Sequence, residues 1–146
     1  MNRKRVGCVA AVVSVIAVVG IFVCAIVKGL TPRKLSEEDP HEVFEEFVCK
    51  PTPASVRILE VSGGIAFAGG GVYIRFEIDR SDLDALIQRG TFKEARESDR
   101  KTIGEWRPEG YGEEWLHYER GRGYGEDHDL FVAPGGQRCW YTASYN

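Results

Sequence analysis

Hydrophobic positions first form one long apolar block, from residue 6 to residue 28. Between Val6 and Val27 no side chain is charged, and only Ser14 is conventionally polar. A helix of this length spans about 33 Å, which matches the hydrocarbon core of a bilayer. The pattern predicts one transmembrane helix at 6–28, embedded in membrane lipid. The alternative is a cleaved signal peptide, whose apolar core is usually shorter, at about 7–15 residues.

After this block, apolar residues recur at two different spacings, and the helical one occurs twice. Asp39 is a suitable N-cap, and Pro40 fits the first helical position, so a helix is predicted over 40–49. A second helix is predicted over 82–89, with Ser81 as its N-cap. Both segments place their apolar residues on one side, as expected of helices that cover a sheet.

The other spacing is alternation, which is typical of strands with one buried face. It is clearest at 72–78, where Val72, Ile74, Phe76 and Ile78 alternate with Tyr73, Arg75 and Glu77. Further strands are predicted at 55–61, 65–68, 114–119, 129–133 and 138–144. We interpret the glycines at 63–64 and 69–71 as turns between strands, and 91–105 as a charged loop. One buried and one polar face favour antiparallel pairing.

These elements predict an α+β fold. An N-terminal single transmembrane helix is followed by a small domain with a mostly antiparallel sheet and one or two covering helices. The predicted organisation is a basic head at 1–5, the membrane helix at 6–28, a juxtamembrane linker at 29–38 and the α+β domain at 39–146.

Charge is distributed unevenly between the two parts of the chain. Residues 1–34 carry six basic side chains and no acid, whereas the rest carries thirteen basic and twenty-two acidic residues, a formal charge of −9. Such an acidic domain repels phosphate backbones, so no nucleic-acid partner is predicted. The compact cluster Arg3-Lys4-Arg5 favours a cytoplasmic N-terminus and an extracytoplasmic domain, although Lys28, Arg33 and Lys34 weaken this preference.

The domain contains two cysteines, Cys49 near its start and Cys139 near its end. In an oxidising compartment an even pair in a small domain is usually a disulfide, and this bridge is predicted here. The same reasoning supports the extracytoplasmic location. The alternative is two buried thiols that never meet.

Aromatic residues alternate with acids between residues 106 and 129, which suggests a ligand site. Trp106, Tyr111, Trp115 and Tyr124 are the candidate binding residues for sugars or peptides. The competing interpretation is that they are ordinary core residues of a small domain.

Metal chemistry is a further hypothesis. His117, His128, Asp127 and Asp129 could supply ligands, with Glu113 nearby in sequence. Glu113 and His117, however, would lie about 13 Å apart along a strand, and 126–129 resembles a solvated turn. No metal, cofactor or catalytic residue is therefore predicted, and the chain is not expected to be an enzyme.

The preferred function is a membrane-anchored, non-catalytic, extracytoplasmic interaction module with an envelope protein as its partner. One alternative is a cell-wall or glycan-binding module that uses the aromatics of 106–124. Another is a small metal-dependent hydrolase. The sequence predicts no particular partner, biological process or oligomeric state.

Overall fold

A computed structural model describes residues 32–66, 69–96, 108–120 and 126–145. The predicted basic head at 1–5 and membrane helix at 6–28 lie outside these residues. Within the described ranges, no helix combines the length and apolar character needed to cross a membrane. All the elements below belong to one compact unit, Arg33–Asn146.

A single seven-stranded sheet organises this unit. Its strands are β1 (Arg33–Lys34), β2 (Arg57–Ala66), β3 (Gly69–Glu77), β4 (Phe92–Glu94), β5 (Leu116–Arg120), β6 (Glu126–Val132) and β7 (Arg138–Tyr145). They lie in the order β1-β2-β3-β7-β6-β5-β4, and every pairing is antiparallel. Two α-helices, α1 (Pro40–Phe47) and α2 (Arg80–Arg89), and one 3-10 turn, Leu35–Glu37, accompany it. The prediction of a small domain with a mostly antiparallel sheet and two helices is confirmed.

Helix α1 begins as its sequence predicts. Oδ1 of Asp39 accepts hydrogen bonds from the backbone N–H groups of His41, at 2.7 Å, and Glu42, at 3.3 Å. These bonds satisfy two of the donors that a helix start leaves unpaired. Helix α2 starts earlier than predicted, because Asp79 rather than Ser81 occupies the N-cap position, and its side chain makes no capping bond.

Both helices pack against the same face of the sheet. Apolar residues of α1 and α2 meet the inward-facing residues of β3, β6 and β7 in one continuous cluster. Its fully buried side chains include Val43, Phe44, Ile74, Phe76, Leu86, Leu130 and Tyr141. The alternation predicted for 72–78 is confirmed, since Val72, Ile74, Phe76 and Ile78 are all buried. Removing this apolar area from water is the main stabilising contribution to the domain.

The predicted turn at Gly63-Gly64 is wrong, because β2 continues through both residues to Ala66. Gly63 is opposite Val72 and Gly64 is opposite Gly71 of β3, in regular antiparallel register. A Cβ on Gly63 would lie 2.1 Å from the carbonyl oxygen of Gly71, and one on Gly64 would lie 2.7 Å from that of Arg33. Here glycine permits close approach of neighbouring backbones rather than a reversal of the chain.

Three other segments differ from their predictions. The predicted charged loop at 91–105 begins with strand β4, which pairs with β5. The predicted linker at 29–38 contains β1 and a 3-10 turn, and Leu35 is fully buried. The predicted solvated turn at 126–129 is the first half of β6. In each case pairing or burial against the sheet determines the conformation of a segment whose composition is polar.

Candidate functional site

The face of the sheet opposite the helices carries the most distinctive surface of the domain. We define it by seven residues and call it the open face: Arg57, Glu60, Tyr73, Arg75, Glu77, Arg138 and Trp140. Six of them form two rows across β2, β3 and β7, and Tyr73 lies beside these rows on β3. Glu60 is opposite Arg75, which is opposite Trp140, and Arg57 is opposite Glu77, which is opposite Arg138. Both described helices pack on the other face, so this surface is not covered by either.

Charge on the open face differs from that of the domain as a whole. Three arginines and two glutamates give it a local charge of +1, whereas the residues after 34 carry −9. Arg57 Nη2 lies 2.5 Å from Glu77 Oε2, and Arg75 Nη2 lies 3.3 Å from Glu60 Oε2.

One guanidinium on the open face remains available to a partner. Arg138 is exposed, and no side chain in the described ranges forms an ion pair with it. Guanidinium groups that are not already neutralised can bind a carboxylate of another molecule.

A cleft of about 480 Å³ continues the open face at the end where β3 finishes and β7 begins. It is lined by Ser55, Arg57, Glu77, Ile78, Asp79, Pro134, Gly135, Gln137 and Arg138. The Ser55 hydroxyl already donates to Asp82 Oδ2 at 2.7 Å and accepts from the Asp79 N–H at 3.1 Å. Ser55 is therefore held on both sides by Asp82 and Asp79, and these bonds make it a structural residue of the cleft wall.

Two of the four predicted ligand residues meet beside the open face. Tyr111 lies 5.8 Å from Trp115 and 5.3 Å from Phe131, and Trp115 lies 4.8 Å from Trp140, between ring centroids. Trp115 and Trp140 are only 8% and 9% exposed, so the rings form a second small core rather than an open stacking groove. The other two candidates, Trp106 and Tyr124, lie outside the described residues.

A buried histidine–carboxylate pair supports this second core. His117 Nε2 lies 2.8 Å from Asp129 Oδ1, and its ring stacks on Phe131 with centroids 4.7 Å apart and planes 13° apart. Nδ1 of His117 is buried and has no hydrogen-bond partner. The carboxylate of Asp129 accepts a hydrogen bond from Nε2–H of His117, and this bond fixes the orientation of the His117 ring on the sheet.

The residues that were considered as possible metal ligands do not converge. His117 is opposite Phe131 on the outer side of the sheet, whereas His128 is opposite Ala143 on the helix side. Alternation along β6 places Asp127 and Asp129 on the side away from His128. Across the described ranges, no three His, Cys, Asp or Glu side chains are grouped closely enough to hold a metal ion.

His128 instead belongs to a buried polar cluster between the sheet and α1. Its Nδ1 lies 2.6 Å from the Tyr141 hydroxyl and 3.1 Å from Arg120 Nη2. Arg120 also donates to the backbone carbonyls of Phe47, at 2.7 Å, and Val48, at 3.2 Å. Its guanidinium lies over the ring of Phe92, 5.2 Å from the centroid, so the charge is bound on several sides.

Protonation states in this cluster follow from the donors present. A guanidinium only donates, so the His128 nitrogen that faces Arg120 must carry a lone pair and the ring is neutral. Burial, followed by the charge of Arg120, lowers the pKa of His128 below its usual value. Burial also raises the pKa of the Tyr141 hydroxyl well above its usual value.

The disulfide predicted between Cys49 and Cys139 is not formed in the structure, where both residues are buried free thiols. Cys139 lies in the central strand β7 between Phe76 and Val132, and burial raises its pKa to about 12. Cys49 follows α1, and its sulfur lies 3.8 Å from the Pro51 carbonyl oxygen. Each thiol therefore occupies its own packing environment, and the extracytoplasmic prediction loses the support of a bridge.

Sequence reasoning missed both the open face and the buried cluster around Arg120. The only available signal for the cluster was spacing, since Arg120 continues the alternation of Tyr118 but lies beyond the predicted end of its strand. No known protein family, curated protein or solved structure matches the chain. Function is therefore inferred from the residues of the domain alone.

Proposed function

We propose that the chain is a membrane-anchored, non-catalytic module that binds another protein through the open face of its sheet. The apolar segment 6–28 is the proposed anchor, and the acidic domain is displayed on the extracytoplasmic side to an envelope protein. The observation that carries the proposal is an arginine-bearing face that neither described helix covers, in a domain whose other face both helices occupy.

Residue types on the open face favour a protein partner. Arginine, tyrosine and tryptophan are enriched at the centres of protein interfaces, because they combine large contact area with directed hydrogen bonds. Arg75 and Tyr73 lie on the same side of β3, and both side chains are partly exposed. A sheet supports these side chains rigidly, so little conformational entropy is lost when a partner binds.

Packing of the aromatic residues favours the same reading over glycan binding. Sugar-binding aromatics need an open ring face on which the sugar can stack. The rings of Tyr111 and Trp115 instead contact Phe131 and Trp140 within the second core. What remains accessible beside them is the charged surface of β2 and β3.

Site-directed photocrosslinking in native membranes tests the proposal. A photoreactive amino acid is placed at Arg138 on the open face and, as the matched control, at Gln88, which is exposed on α2 on the other face. We expect one discrete protein adduct from position 138 and none from position 88. The substitution Arg75→Glu, combined with the probe at 138, should abolish that adduct by reversing the charge of the interface centre.

Three results would contradict the proposal. Equal adduct yields from positions 138 and 88 would show that partner proteins do not bind preferentially to the open face. An adduct that survives Arg75→Glu unchanged would place the contact elsewhere. Adducts consisting only of glycan would favour the cell-wall alternative.

A further inference from the structure

The end of helix α1 is attached to the sheet by a charged side chain from a distant strand. Arg120 of β5 donates to the carbonyl oxygens of Phe47 and Val48, which follow one another at the helix end. Carbonyls at this position have no partner within the helix, and the helix dipole places partial negative charge there. The guanidinium of Arg120 donates hydrogen bonds to these carbonyls and brings a positive charge to the negative end of the helix. The position of Arg120 therefore determines how firmly α1 is held.

Arg120 is in turn positioned by His128. The same Nη2 that bonds the Phe47 carbonyl lies 3.1 Å from His128 Nδ1 and 3.3 Å from the Tyr141 hydroxyl. The contact with Arg120 depends on a lone pair at Nδ1, because a guanidinium can only donate a hydrogen bond. It therefore exists only while His128 is neutral.

We propose that protonation of His128 releases the C-terminal end of α1 from the sheet, so that the domain contains an acid-responsive switch at this helix. A proton taken from water binds Nδ1 and converts it from an acceptor into a donor. The new N–H then faces the N–H groups of Arg120, and two positive charges lie about 3 Å apart in a partly desolvated site. Arg120 moves away, and its bonds to Phe47 and Val48 are lost.

The charged groups around His128 act on its protonation in opposite directions. Arg120 of β5 opposes protonation, whereas Glu126 and Asp129 of β6 favour it. From β7, Tyr141 bonds Nδ1 and Tyr145 contacts the ring edge-on, and both remain uncharged in mild acid because burial raises their pKa values.

Helix α1 presents the backbone carbonyls of Phe47 and Val48 to this cluster. The thiol of Cys49, which follows the helix, is buried, and burial raises its pKa. Glu46, a carboxylate of α1, is bound by Arg33. The balance lowers the pKa of His128, with burial as the largest cause.

The lowered pKa of His128 determines that acid weakens the attachment of α1. An unfolded or released histidine binds its proton near pH 6.5, and the buried one binds it only at lower pH. The attached state therefore has its full stability above about pH 6.5 and loses it as the pH falls towards the lowered value. Histidine is the side chain whose usual pKa makes such a response possible in mild acid.

Two cysteines provide internal reporters that separate local release from global unfolding. Cys49 directly follows α1 and is 7% exposed, whereas Cys139 lies at the centre of the sheet and is 0% exposed. Release of α1 exposes the first thiol only. Unfolding of the domain exposes both.

The experiment measures thiol labelling of the full chain in detergent micelles at about pH 7.5 and about pH 5.5, which bracket the histidine titration. A pyridyl disulfide labels the protein, and peptide mass spectrometry gives the rate at Cys49 relative to Cys139, each normalised to the denatured chain. We expect this ratio to rise on the order of tenfold in acid, because about pH 5.5 lies roughly one unit below the usual histidine pKa and each pH unit changes the protonation equilibrium tenfold. His128→Asn keeps an acceptor near the Nδ1 position and should abolish the rise, whereas His41→Asn, at an exposed site on α1, should leave it intact.

If His128→Asn does not fold, hydrogen–deuterium exchange of the unaltered chain tests the same release of α1 without a variant. Amides of α1 should lose protection between the two pH values, relative to amides of β7 and after correction for intrinsic exchange. A constant Cys49-to-Cys139 ratio, simultaneous exposure of both thiols, or unchanged relative protection of α1 would each overturn the proposal.

Discussion

The ring of Phe44 meets the ring of Phe76 edge-on, with centroids 5.0 Å apart and planes 86° apart. Phe44 belongs to α1 and Phe76 to β3, and both are completely buried. This contact joins the first helix to the middle of the sheet and anchors the principal core.

Phe44→Ala is expected to lower the free energy of unfolding by about 3–5 kcal/mol, because it removes buried apolar area and leaves a cavity. Chemical denaturation followed by tyrosine and tryptophan fluorescence measures the change. Leu116→Ala is the matched control, since Leu116 is 45% exposed and should change the free energy by less than about 0.5 kcal/mol. Similar losses for the two variants would show that Phe44 is not part of a tightly packed core.

Ser55→Ala is expected to raise the pKa of Asp82. Oδ2 of Asp82 accepts from both the hydroxyl and the backbone N–H of Ser55, at 2.7 and 3.2 Å, and these bonds lower its pKa. The lowered pKa means that this link stabilises the fold above the unfolded value of about 3.9 and is lost as the pH falls through the folded value. Carboxyl titration by NMR measures the shift, with Asp84 as the reference. An Asp82 titration curve identical in both proteins would argue against the link.

Cys49 and Cys139 are expected to be reduced and slow to react in the native protein. Both are buried, and the raised pKa of Cys139 keeps its reactive thiolate scarce. Alkylation without a reducing agent should modify both residues only after denaturation, as read by peptide mass spectrometry. Recovery of a peptide pair joined through Cys49 and Cys139 from the native chain would refute this expectation.

Cys139→Ser should also destabilise the domain by about 1–3 kcal/mol, because it buries a hydroxyl among apolar neighbours.

The apolar segment 6–28 is expected to retain the full chain in membranes during alkaline extraction. A charged residue at its centre raises the free energy of insertion by about 2.5–3.5 kcal/mol, so Val15→Lys combined with Val18→Lys should move the chain into the soluble fraction. Asp84→Lys, an exposed change on α2, is the control and should have no effect. Complete extraction of the unaltered chain would remove the proposed anchor.

Local signals predicted those elements whose conformation depends on nearby residues. Asp39 and Pro40 define the start of α1 through short-range capping, and the strict alternation of 72–78 defines β3 because only one face of the strand is buried. These features depend on neighbours within a few positions, so they are visible in the sequence.

Elements that depend on distant neighbours were not predictable in this way. Gly63 lies in a strand because the backbone of Gly71 approaches it closely, and His128 is buried because Arg120 and Tyr141 satisfy its ring. Similarly, β4 is a strand because β5 pairs with it. The open face was missed for the same reason, since Arg75 and Trp140 are opposite each other only after β3 and β7 pair.

The order of the strands also constrains how the domain is assembled during translation. Strand β7 is the last in chain order, yet it lies in the middle of the sheet and joins β3 to β6. Until residues 138–145 have left the ribosome, β1–β3 and β4–β6 are two separate half-sheets, each with an unpaired inner edge. Nascent chains stalled before residue 138 should therefore be protease-sensitive and prone to aggregate, because the two half-sheets are joined only once β7 is available.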